Sequence, residues 1–248
     1  MSKSLLDRPS STDPPPAWGA DSLSRYLDDA AHNTLATFAN LPEQYGYLAE
    51  VDQLFSEMID NLNQHPEFVA GFLLFRTHSS FRAAVRLCLG GQVAESYMVL
   101  RGCLESALYG LYVAGNRNRQ EIWLRRHDDE SSKRRVRSEF TITNVLGFLA
   151  SVDATTHDIA ARLYDRTIDY GAHPNERAVS TQIRTQSTSA RIDFTADYLL
   201  AGDLPHLVSL KSVAQIGICC LDILEHVFRD RYRILQIDAR LEQLHRQF

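Results

Sequence analysis

Apolar positions recur along this chain at steps of three and four, the period of helices packed on one side. The stripe is clearest after Pro42, which suits the first turn of a helix. There Leu48, Val51, Leu54, Phe55, Met58, Ile59 and Leu62 share one face. Upstream, Asp21 or Ser22 can cap a helix carrying Leu23, Tyr26, Leu27 and Ala30, and the pattern breaks near Asn40. His65-Pro66 ends or restarts the path. A third helix is expected over about 67–89, apolar all round in its first half, with Arg76, His78, Arg82 and Arg86 in its second. Gly90-Gly91 breaks it.

The stretch Gly91–Asn116 reads as one long helix, apolar over most of its circumference, and such a helix belongs in the middle of a domain. Residues 117–137 change character: eight basic side chains accompany four acidic ones, with Ile122, Trp123 and Leu124 as anchors, which suits an exposed helix–loop–helix. Helical spacing resumes with Phe140, Val145, Leu146, Phe148 and Leu149, then in a short helix from about Ala154. The polar run 180–190 reads as loop or disorder. Residues 191–199 alternate and suggest one extended segment that needs another short piece to pair with. Pro205 opens a last long helix to about Asp230, and the tail keeps helical character. The sum is an all-α, compact bundle of about six or seven helices. Residues 1–20, with STDPPP, form a disordered leader, and 21–248 form a single helical domain with the basic element at 117–137.

Composition adds limits. Apolar residues make up 44% and charged residues 23%, ordinary for a globular chain. A formal net charge of -5 argues against coating nucleic acid over the whole surface, while leaving room for a local basic site. Cys88, Cys103, Cys219 and Cys220 lie in apolar helical surroundings and read as buried thiols of a reducing compartment. No signal peptide is legible and no stretch reaches the roughly 18 apolar residues of a membrane span. The expectation is a cytoplasmic protein with no membrane association.

Chemistry concentrates in three places. On the central helix, Tyr97, Arg101, Glu105, Tyr109 and Tyr112 lie on one side, and Arg101 can bridge to Glu105. On the third helix, His78, Arg82 and Arg86 share a face, so a carboxylate or an anion must oppose them; Glu95 and Glu105 are candidates. These residues form either a structural polar network or the wall of a small-anion or nucleotide pocket built on Arg82, Arg101 and Tyr109. The third place is Arg166 and His173. Pro174 is placed to start a helix, so His173 lies near a helix N-terminus, where the field disfavours imidazolium and free N–H groups attract anions. An arginine to hold a phosphate and a histidine to move a proton can cleave RNA without metal, with Asp169 and Tyr170 orienting them. No metal motif and no phosphate-cradling glycine loop is present, and no cofactor is called for.

An all-helical chain with Arg166-Thr167-Ile168-Asp169-Tyr170-Gly171-Ala172-His173 resembles the HEPN-like helical domains, whose signature is Arg, four to six residues, then His. Many of those are metal-independent ribonucleases of toxin–antitoxin, abortive-infection or CRISPR systems, and they commonly dimerise. The resemblance implies Arg166 and His173 as a catalytic pair with Thr167 at the polar position, and RNA as the ligand, gripped by 117–137. The stretch LRGCLESALYG at 100–110 also resembles uncharacterised bacterial helical proteins of this size. Beside the ribonuclease or defence-effector reading stand two others: a non-catalytic interaction or oligomerisation domain with a homo-oligomer or protein partner, and the small-anion bundle.

Overall fold

The computed structural model describes residues 14–62, 67–173, 176–180, 182–187 and 191–248. Eleven α-helices run through them, joined by one π-helical turn and one two-stranded hairpin. The all-α bundle is therefore as expected, with more and shorter helices than six or seven. The surplus lies between the long helices: α5 (Arg117–Leu124), α6 (Glu130–Glu139), α7 (Ile142–Val152) and α8 (Ala154–Thr167). Each starts at its own side-chain cap, in turn Asn116, Asp129, Thr141 and Asp153, and Asp153 also ends α7.

The first half follows its pattern. Asp21 caps α1 (Ser22–Asn40) by accepting from the backbone of Leu23 and Ser24, and Pro42 stands at the start of α2 (Pro42–Asp60). Part of the supposed leader is ordered: Trp18 turns back and its indole donates to Asp28 at 3.2 Å. Residues 1–13 lie outside the described part of the chain, as do His65-Pro66, Pro174 and four residues of the 180–190 run.

The middle of the molecule is α4 (Val93–Val113), packed between α3 (Phe68–Leu89) and α10 (Leu204–Ile234). Fourteen of its 21 residues are buried, so burial rather than amphipathicity fixes it. Its partner α10 is 31 residues long. One window of α10 has mean hydropathy 1.7 and is long enough to cross a membrane, which corrects the expectation that no stretch qualifies. Yet 72% of that window is buried inside the protein, the place of a core helix. Gly217 lets α10 approach closely: a β-carbon there would meet the Phe81 ring and Val51 at 2.6 Å. The tail forms α11 (Ile237–His245).

The extended segment finds its mate inside the run expected to be loop. β1 (Ile183–Ser187) pairs antiparallel with β2 (Ile192–Ala196), Ile183 opposite Ala196. Past the hairpin, Leu200 donates its N–H to the Gly91 carbonyl at 2.9 Å. Gly91 holds φ +89°, a conformation that costs glycine nothing, and Leu200 fills the space a side chain would need.

Candidate functional site

After α8 the chain does not stop but widens into a π-helical turn, Ile168–Ala172, the five residues before His173. Such turns occur often at functional positions. Two contacts seat this one on α4. Gly171 lies so close to the Ala94 carbonyl that a β-carbon there would overlap it. Tyr170 stacks on Tyr97 with ring centroids 5.5 Å apart.

This seating carries His173 to Arg101, with Nε2 3.2 Å from the guanidinium Nη1. A guanidinium only donates, so the contact makes Nε2 the acceptor and places the ring proton on Nδ1. Arg101 Nε donates to Glu105 Oε1 at 2.9 Å, and the Tyr164 hydroxyl donates to the same oxygen at 3.0 Å. The guanidinium also lies over the Tyr164 ring, 5.2 Å from its centroid. Burial works against the charge on Arg101, but the Glu105 carboxylate outweighs it and holds the guanidinium above its ordinary pKa. Burial, then the Glu105 charge, push the Tyr164 phenol up to about 12, so it stays a donor. The Arg101 side chain is still 30% exposed and His173 is exposed, so both reach solvent.

Beside His173 opens a cavity of about 440 Å3, lined also by Glu95, Met98, Gly171, Val179 and Ile183. Glu95, Met98, Arg101 and Glu105 follow at steps of three, three and four along one face of α4. Glu95 Oε2 is buried with no hydrogen-bond partner, an arrangement that asks for a donor.

The other predicted residues are distributed differently. Arg166 does not meet His173: its Nη1 donates to Gln215 Oε1 at 2.7 Å and Ser212 Oγ at 3.3 Å, and it lines a separate cavity. Asp169 pairs with Arg177 at 3.3 Å. His173 follows the π-turn, and the helix beyond it, α9 (Glu176–Ser180), has only five residues, so the expected helix-terminus field gives way to the Arg101 contact. Tyr109 donates to the Phe140 carbonyl at 2.8 Å, which makes it a clamp between helices.

His78 and Arg82 belong to a third place. Neither Glu95 nor Glu105 opposes them. Asp52 of α2 does, with Oδ1 2.6 Å from both His78 Nε2 and Arg82 Nε. Burial would raise the Asp52 pKa, but hydrogen bonds from Arg82 and His78 outweigh it and hold the carboxylate below its ordinary range. Burial depresses the His78 pKa more than Asp52 restores it, so a neutral ring donating from Nε2 accounts for the contact. The cluster is satisfied by the protein itself.

Sequence reasoning passed over Tyr164 and Asp52, and it raised Glu95 only as a partner for His78 and Arg82. For Glu95 the signal was present in its spacing from Met98 and Arg101, whereas Tyr164 and Asp52 depend on how helices meet. Among the described residues no group of three or more His, Cys, Asp or Glu side chains is arranged to hold a metal. No family model, curated protein or solved structure matches the chain.

Proposed function

We propose that the protein is a helical bundle that binds a small phosphate ester with hydroxyl groups, of the nucleotide class, along the outer face of α4. The observation that supports this most is the Arg101–His173 contact, a solvent-reachable cationic head brought together across 72 residues. The phosphate takes the Arg101 edge, where a forked donor suits it, and His173 turns a ring N–H toward it. Glu95 lies six residues earlier, about 9 Å along the helix axis, a span that suits ribose hydroxyls. Its unpartnered oxygen accepts from them. Met98, Val179 and Ile183 supply apolar cover. Binding is favoured over cleavage because Arg166 and His173, the pair that the ribonuclease reading needs, line different cavities.

Calorimetric titration with AMP and inorganic phosphate tests the reading. Arg101→Ala should weaken both ligands at least ten-fold, and Glu95→Ala should weaken AMP alone. Absence of any saturable heat with AMP would refute the binding reading. Metal-free RNA cleavage by the wild type, lost in both Arg166→Ala and His173→Ala, would restore the ribonuclease.

A second reading concerns assembly, and α1 carries it. Leu23, Leu27, Leu35 and Phe38 are 64, 43, 68 and 54% exposed, and with the exposed Ala31 they form one stripe. The stripe fits a second copy of itself. Antiparallel pairing about Ala31 sets Leu23 against Phe38 and Leu27 against Leu35, with the small residue at the two-fold axis. The same pairing brings Asp29 of one copy near His32 of the other at the rim. Light scattering should report a dimer that Leu27→Glu converts to monomer; a wild-type monomer at high concentration would overturn this reading.

A further inference from the structure

Arg166 is the charged residue of the sequence motif that the α4 groove leaves unused. It opens on a cavity of about 300 Å3 between α8, α10 and α11, together with Arg162, Gln215, Asp222 and His245. Arg162 precedes Arg166 by one helical turn and is exposed, and among the described residues it has no hydrogen-bond or ion-pair partner. Like charges at this spacing repel, so two arginines facing one cavity are held there at a cost that an anion relieves. Gln215 and Ser212 fix the direction of the Arg166 guanidinium, which preorganises it.

Across the cavity, His245 Nε2 lies 3.0 Å from Asp222 Oδ1. That hydrogen bond raises the histidine pKa against the opposing effect of burial. Asp222 is only 15% exposed and is turned to His245, so it offers little repulsion to an anion on the arginine side. Two guanidinium groups against one carboxylate already engaged leave the site positive. Ile159, Leu163 and Ile218 line the rest with hydrocarbon. A volume of this size stands at the low end for small-molecule pockets and suits a compact ligand.

We propose that this cavity is a second binding site, distinct from the α4 groove, for a small organic phosphate or carboxylate with a compact apolar body. Arg162 and Arg166 grip the anionic oxygens as paired forks, and the apolar body covers Ile159, Leu163 and Ile218.

Calorimetric titration of the full chain with phenyl phosphate, benzoate and inorganic phosphate tests it. At least one aromatic anion should bind the Arg101→Ala protein, whose α4 groove no longer holds phosphate, saturably and at least ten-fold tighter than inorganic phosphate does. Whichever of the two binds tighter identifies the head group. Arg162→Ala, at an exposed position that leaves the fold intact, should weaken the aromatic anion ten-fold or more, and Arg101→Ala should leave it unchanged. A loss in Arg101→Ala with none in Arg162→Ala would place the ligand in the α4 groove and overturn the proposal. So would equal affinity for inorganic phosphate, or no binding of either aromatic anion. AMP binding to the same Arg162→Ala protein reports on the α4 groove separately, so either site can fail without the other.

Discussion

Single side chains set the chemistry here through whom they meet. Asp52 shows it: its folded pKa lies below the ordinary carboxylate value because Arg82 and His78 donate to it. The stability it contributes is therefore complete above about pH 4 and is lost as pH falls through the lowered value. Asp52→Asn should cost about 1–3 kcal/mol near neutral pH, with the gap from wild type narrowing at pH 2.5. Thermal melts at the two pH values check this; an equal gap at both would refute it. Gly171 acts through the absence of a side chain. Gly171→Ala forces the π-turn off Ala94, a strain of about 1–3 kcal/mol, and should weaken AMP along with stability. A variant with a lowered melting temperature and undiminished AMP affinity would show that the turn does not position His173. Neither role was legible beforehand. The sequence pointed to a carboxylate facing Arg82 but named the wrong one, because helix pairing decides which acid arrives.

Whole elements were read with uneven success, and the reason is physical. α2, α3, α4 and α10 were plain because long runs of buried side chains impose a period. The hairpin was half hidden. β2 alternates, but β1 consists of Ile, Arg, Thr, Gln and Ser, and no alternation of apolar and polar residues marks it as a strand. The candidate site was hidden further, since it needs an α4 arginine and a histidine 72 residues away, delivered by a turn type that no local signal announces. Both residue types stand out in the sequence; their pairing does not. Helix packing also gives a direct test. A β-carbon at Gly217 would meet Phe81 and Val51 at 2.6 Å, so Gly217→Ala must push α10 away from α2 and α3. A loss of about 1–3 kcal/mol is expected from such overpacking, near 2–12 °C of melting temperature for a chain of this size. A gain, as from relief of chain entropy alone, would contradict the close packing.

Over the whole molecule, stability should be cooperative in the bundle and low at the margin. All four cysteines are buried and free. Burial pushes the Cys88 thiol up to about 12 and holds Cys219 and Cys220 well above their ordinary value. A thiol reagent should then label none of them in the native state, and labelling at rising urea should track global unfolding. Fast labelling of any one without denaturant would reveal an opening of the core. The hairpin is the opposite case. β2 exposes Ile192 and Phe194, 58 and 70%, so its strands hold each other while burying little. Yet Gln182, Ile183 and Ala196 form one wall of the cavity beside His173. A protease would therefore find its earliest cut here, and the nicked protein should keep its helices while losing part of that wall. An occupied cavity should make the wall slower to cut, which turns the rate of nicking into a gauge of occupancy.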